Sequence, residues 1–168
     1  MPNQPNLLHS NTALPALDRI DLAILELLQN NARLSNKEIA AQVNLAPSSC
    51  LGRIRRLRET KVLQGFHAEI NPAAVGIGLQ AIVAVRLTRH SRDRFRSLYA
   101  HIHGLPEVLQ VFHVSGVNDL LLHVAVRDVT HLRDLVVDEL ATRAEVANCE
   151  TSVIFSSFRN SRLPVYAS

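Results

Sequence analysis

Ser48, Ser49, Gly52, Arg53, Arg55 and Arg56 are the side chains of this 168-residue chain whose types and spacing suggest a specific chemistry. They lie in L-A-P-S-S-C-L-G-R-I-R-R-L-R-E-T-K, residues 45–61. Pro47 suits the first turn of a helix, where a missing N–H costs nothing. At roughly 100° per residue, Cys50, Leu51, Ile54 and Leu57 then gather on one side. Ser48, Ser49, Gly52, Arg56 and Glu59 take the opposite side, flanked by Arg53 and Arg55. Residues 53–61 hold five Lys/Arg against one Glu. Small residues let a helix axis come close to a DNA duplex, hydroxyls bond base edges, and guanidiniums reach bases or phosphates. An ordinary amphipathic helix with a solvated basic face fits the same residues, so the neighbouring elements must decide.

Those elements favour the groove. A first helix is expected from Asp18 to Gln29, with Ile20, Ile24, Leu27 and Leu28 inward and an acidic start. Ser35-Asn36-Lys37-Glu38 reads as a capping box opening a second helix that buries Ile39, Ala40 and Val43. That helix stops at Asn44, a residue that tolerates the left-handed conformation. The basic helix follows, which makes a helix-turn-helix preceded by a packing helix. Ala46 stands where Ser or Thr would cap the third helix; Ser48 or Ser49 is expected to offset part of that loss. Val62, Leu63, Phe66, Ala68 and Ile70 suggest a short hairpin or strand with a Gly-centred turn, a wing. Asn71-Pro72 and Gly76-Ile77-Gly78 mark a hinge.

Beyond the hinge the order changes. Strands are expected over 80–88, 108–114, 120–126 and 146–158, and helices over 91–102 and 130–140. The β-α-β-β-α-β order is the split βαβ arrangement, an antiparallel sheet with both helices on one face. The other face carries Ala84 or Val85, depending on register, and an open apolar sheet face marks an interface. Dimerisation through this half follows.

Composition sets bounds. At 47% hydrophobic, 20% charged and net charge +3, the chain is an ordinary globular protein. Cys50 and Cys149 form neither a disulfide framework nor a zinc pattern, which suits a reducing, cytoplasmic compartment. No apolar run reaches the roughly 18 residues of a membrane span, so no membrane partner is expected. Residues 1–16, Pro/Asn-rich and without a signal-peptide pattern, read as a disordered arm. His101 and His103 diverge on a helix, and His113 and His123 could face each other across a hairpin without a third ligand; no metal is expected. No nucleophile–base set, Gly-rich phosphate loop or paired acids appear, so neither catalytic residues nor a cofactor are assigned.

Over about Leu17–Leu163 the chain resembles the Lrp/AsnC regulators. The resemblance is carried by L-D-R-I-D at 17–21, R-L-S-N-x-E at 33–38, C-L-x-R-I-R-R-L at 50–57 and Q-G-F at 64–66. I-N-P at 70–72, H-V-S-G-x-x-D at 113–119 and S-x-L at 161–163 continue it. It implies an α+β protein: an N-terminal winged helix-turn-helix domain (17–78, hinge included) and a C-terminal ferredoxin-like βαββαβ effector-binding and oligomerisation domain (79–168). It also implies a sequence-specific regulator that binds double-stranded DNA and responds to an amino acid through its assembly, as homodimers that join further, often as four dimers. The effector pocket implied by the family includes the turn Ser115, Gly116, Val117, Asn118 and Asp119. Backbone N–H groups there would meet a carboxylate, and Asp119 the ammonium, although a turn-forming role fits Asp119 equally. Leu120 replaces the family Tyr. Val129 and Ser152 match positions that tune the response. Two other readings remain on this fold. One is a free-standing amino-acid sensor, which the intact basic helix argues against. The other is a siroheme-decarboxylase-like enzyme, whose Arg-Arg stretch is replaced here by Leu63-Gln64-Gly65-Phe66 and Ile70-Asn71-Pro72.

Overall fold

The computed structural model describes residues 15–88, 92–160 and 162–166. Most of the expected arm, the expected start of the fourth helix at Ser91, and Ser161 of the closing S-x-L lie outside them. The chain divides into two compact units. One comprises the residues up to Ala68 together with those from Arg159 on; the other is Glu69–Phe158. The sequence-based division lay at 78/79 and kept the C-terminal residues with the second half. The structure ties segment 71–78 to the second unit, where the Gly78 N–H donates to the Val126 carbonyl at 3.1 Å. It ties the tail to the first, where the Leu163 N–H donates to Gln29 Oε1 at 2.7 Å.

The first unit holds α1 (Arg19–Asn30), α2 (Asn36–Gln42) and α3 (Pro47–Glu59). Asp18 and Asp21 form a reciprocal capping box at the start of α1, and Ser35 and Glu38 form the expected one on α2. Asn44 adopts φ 53°, the left-handed turn expected between α2 and α3. Ile24, Leu28, Ile39, Ala40, Cys50 and Leu57 make the core. Complete burial of a Leu or Ile contributes about 1.5–3 kcal/mol. The expected wing does not form: residues 64–71 have no regular secondary structure. Phe66 and Ile70 are exposed, and an isolated pair of strands with no packed face is marginal in water.

In the second unit a short 3₁₀ turn (Pro72–Val75) precedes β1 (Leu79–Leu87). There follow α4 (Arg92–Gly104), β2 (Val108–His113), β3 (Leu120–Val126), α5 (Val129–Asp134) and β4 (Val146–Val153). The sheet is antiparallel, ordered β2-β3-β1-β4, as the βαββαβ reading requires. The helix after β3 differs from expectation: at Leu135 it widens into a π-helix to Ala141. That helical segment buries Leu132, Leu135 and Leu140 against the sheet, and hydrophobic periodicity alone does not reveal such a change of winding. β4 ends at Val153, five residues early. Its pairing with β1 runs to Ala81–Val153, with one further bond from the Ile154 N–H to the Gln80 carbonyl at 2.9 Å, and Phe155 beyond it is 97% exposed.

Register fixes the two faces. Ala81, Val83, Val85, Leu120, Leu122 and Val124 face the helices with Leu98 and Ile102. Val85 is therefore core, and Ala84 lies on the open face beside Ile82, paired with Leu121 and His123. Phe112, opposite Leu121, extends that face.

Candidate nucleic-acid and ligand interfaces

α3 is set by contacts from both preceding helices. Ala46 provides no side-chain cap, and neither Ser48 nor Ser49 replaces it. The start of α3 is instead tied to α2, where Asn36 Nδ2 donates to the Pro47 carbonyl at 2.8 Å. Cys50 and Leu57 are fully buried and Ile54 half-buried; burial pushes the Cys50 thiol pKa up. Leu51, assigned to the buried stripe from the sequence, is 47% exposed. It sits about 100° around the helix from Cys50 and about 120° from Leu57, past the edge of the contact with α1 and α2.

Ser48, Ser49, Gly52 and Arg55 are exposed, and a side chain added at Gly52 would meet nothing within 4 Å. Arg56, expected on the outer face, and Arg53, expected on its flank, are turned toward α1, although 46% of the Arg56 side chain stays exposed. Arg53 Nη1 donates to Asp18 Oδ2 at 2.6 Å and to Asp21 Oδ1 at 3.0 Å. Arg56 Nη2 donates to Asp21 Oδ2. The Asp18 carboxylate, then that of Asp21, holds the Arg53 guanidinium pKa above its ordinary value. The Asp21 N–H and then Arg53 hold Asp18 below its own. Asp21 is fully buried. Sequence reading identified it only as a favourable charge at a helix start, because its partners lie 32 and 35 residues away. Two opposite charges so far apart in sequence carry no local signal.

The expected effector residues fall into two groups. Ser115, Gly116 and Val117 are exposed at the β2–β3 turn, with Asn118 half-buried. Gly116 has φ +128°, a conformation L side chains rarely adopt. Asp119 is a structural joint: its N–H donates to the Val85 carbonyl at 2.9 Å and its Oδ2 accepts the Leu87 N–H at 2.7 Å. Leu120, where the family Tyr was expected to matter, is fully buried on the helix side of the sheet. Val129 is exposed beyond the sheet's other end, and Ser152 is exposed on β4 near the middle of the sheet. Val129 follows three residues after Val126, which pairs with Leu79, and Ser152 pairs with Ile82. The turn adjoins Leu120, which pairs with Val85. Along β1, six residues, about 20 Å at roughly 3.3 Å per residue, separate the turn from the strand end that leads to Val129, and three residues, about 10 Å, separate it from the level of Ser152. A single second unit does not bring them together.

Two cavities lie elsewhere. One of about 500 Å³ is lined by Arg19, Leu22, Glu26, Gln29, Arg162 and Leu163. The other, about 310 Å³, lies beside Asn71, Gln80 and Ser156; neither contains the expected effector residues. His113 sits opposite Leu120 and His123 opposite Gln110, so these histidines do not face each other. His123 bonds Gln80 Oε1 at 2.8 Å, and burial lowers its pKa. Among the described residues, no three His, Cys, Asp or Glu gather as a metal site, and no helix is long and apolar enough to cross a membrane.

Comparison with known proteins matches the same two regions. Residues 17–58 match the AsnC-type helix-turn-helix domain and residues 80–164 the Lrp/AsnC ligand binding domain. The HTH-type transcriptional regulator AldR of Mycolicibacterium smegmatis is 46% identical over 143 residues, 85% of this chain and 84% of that protein. The leucine-responsive regulatory protein of Haemophilus influenzae is 34% identical over 150 residues, 89% of this chain and 90% of that one. The crystal structure of a Neisseria meningitidis transcriptional regulator in complex with L-Met superposes with a TM-score of 0.83 at 32% identity. It covers 90% of this chain and 98% of that one. A helix-turn-helix with an exposed small-residue and arginine face, a four-stranded antiparallel sheet with an open face, and these matches across both units agree: the chain belongs to the Lrp/AsnC family of DNA-binding transcriptional regulators.

Proposed function

We propose that α3 enters the DNA major groove with Ser48, Ser49, Gly52 and Arg55 toward the duplex, and that an amino acid regulates this binding through the assembly of dimers. The observation that carries the reading is the exposed face of α3, with open space at Gly52 where a helix axis must approach the bases closely. Two such helices in a homodimer would enter successive major grooves about 10 bp apart. The open face bearing Ile82, Ala84, Leu121 and Phe112 supports dimerisation, since a bare apolar sheet face loses free energy to water until it is covered.

The effector reading rests on Ser115, Gly116, Val117, Asn118 and Asp119, with Val129 and Ser152. Because Val129 lies at the opposite end of the sheet from the turn and Ser152 lies about three residues along it on another strand, a pocket using all of them draws them from different chains. Ligand binding would then change how dimers associate into larger particles, four dimers in the form expected for the family. The L-Met complex of the Neisseria regulator supports an amino acid as the ligand class. We assign the protein no catalytic role, and DNA binding would locate it in the cytoplasm. The boundaries proposed for the two functions are 17–78 for DNA, with its hinge from Glu69 on packed in the second unit, and 79–168 for effector and assembly, with the residues from Arg159 on packed in the first; 1–16 are proposed as an arm.

The test is a gel-shift at varied salt on the DNA just upstream of the protein's own gene, with and without each amino acid. Selective, salt-sensitive binding that shifts with one amino acid is the expected result. Binding without selectivity at every salt concentration would refute the reading.

A further inference from the structure

Asp21 is the one buried charged residue among the described residues, and a buried carboxylate persists only when it is paired and hydrogen-bonded. Its partners are specific. Oδ1 accepts from Arg53 Nη1, while Oδ2 accepts from Arg56 Nη2 and from the Asp18 N–H at 3.2 Å. Asp18 takes a second bond from the same Arg53 nitrogen and from the Asp21 N–H, which closes a network between α1 and α3. Arg53 and Arg56 stand three residues apart, on adjacent turns of α3. The apolar contacts of α3 are non-directional and tolerate a small rotation of the helix about its axis. A carboxylate with each oxygen committed to a different guanidinium does not, because these bonds are directional and charge-assisted.

We propose that Asp21, supported by Asp18, is a positioning residue for DNA recognition: it fixes the rotation of α3 through Arg53 and Arg56, which are therefore not DNA contacts. This rests on the reading of α3 as the groove helix. Arg53 and Arg56 set the angle at which Ser48, Ser49, Gly52 and Arg55 meet base edges. Arg56 is also exposed, 46% of its side chain, but its guanidinium is held by Asp21; the phosphate-facing charge of α3 then comes from Arg55 and Arg58, both exposed and neither held by a carboxylate of α1.

The experiment uses the full-length chain and a duplex enriched by the wild type from a random pool. Affinities for that duplex and for an unrelated one are measured across a salt series, well below each variant's melting temperature. Asp21→Asn is expected to weaken binding to the enriched duplex tenfold or more while binding to the unrelated duplex holds, so the specificity ratio collapses. A purely stabilising role would lower the melting temperature and leave that ratio intact. Arg55→Ala is expected to reduce the salt slope by about one with no change in melting; Arg56→Ala leaves the slope unchanged. Arg56→Lys keeps the charge and loses the planar fork, so it is expected to lose specificity as Arg56→Ala does, and it answers the question if Asp21→Asn fails to fold. A wild-type ratio in Asp21→Asn, or a slope reduced by about one with wild-type specificity in Arg56→Ala, overturns the proposal alone. A wild-type chain that enriches no duplex removes the reading of α3 and the proposal together.

Discussion

The carboxylate of Asp119, at the head of β3, accepts the backbone N–H of Leu87, at the end of β1, at 2.7 Å. The ladder between these strands reaches only to Val85–Leu120. The side chain thus takes the place of the next ladder carbonyl, and the backbone N–H of the same residue bonds Val85. Asp119 closes the end of the sheet beneath the turn expected to receive an effector, so its structural and functional roles overlap in one group.

Substitution separates them. Asp119→Ala removes a charge-assisted bond and is expected to destabilise the second unit by about 1.5–3 kcal/mol, read by urea melting. Asp119→Asn keeps an oxygen for the Leu87 N–H and loses the charge an ammonium needs. It should lose less stability than Asp119→Ala, bind DNA, and no longer respond to an amino acid. A full ligand response in Asp119→Asn would leave Asp119 only its structural role.

Gly52 is expected to trade stability against function. It lies in the interior of α3 with open space around it, so Gly52→Ala should stabilise the helix by about 0.5–1 kcal/mol. The added methyl points out from the exposed face and should hold the helix axis away from the bases. A higher melting temperature with weaker DNA binding is the expected pair; unchanged affinity would put Gly52 outside the contact.

Gly78 is required for a different reason. A Cβ there would lie 2.3 Å from the Arg127 carbonyl oxygen, against backbone that cannot rotate away. Gly78→Ala should cost about 1–3 kcal/mol through forced displacement of the β3–α5 connection. A melt indistinguishable from wild type would mean that the segment entering β1 shifts freely.

Glu38 and Asp18 predict an acid limb for the first unit. The Ser35 N–H, and then its hydroxyl, hold Glu38 below its ordinary pKa, and the Asp21 N–H and Arg53 do the same for Asp18. With folded pKa values below the unfolded ones, the stabilisation is fully present above the unfolded values. It is lost as pH falls from about 4.5 and 3.8 through the lower folded values. Glu38→Gln should flatten the stability–pH curve below pH 4.5 and leave its shape near neutrality unchanged. An acid limb as steep as that of the wild type would remove Glu38 from the linkage.

Local signals were legible because their causes are local. The Ser35–Glu38 capping box, the left-handed Asn44, Pro47 at a helix start and the strand–helix order of the second half each depend on a few adjacent residues or on one hydrophobic period. From these the sequence determined a helix-turn-helix followed by a βαββαβ unit. Tertiary structure decided what depends on partners far along the chain. It turned Arg53 and Arg56 to carboxylates of α1, sent Leu120 and Val85 to the helix side of the sheet and left Ala84 on the open one. It also bonded Asp119 to the end of β1, put Val129 beyond the far end of the sheet and Ser152 opposite Ile82, left residues 64–71 without a strand, and widened the helix at Leu135. The physical reason is common to all of them: a period fixes which side chains share a face, whereas burial and pairing with distant groups fix what that face meets.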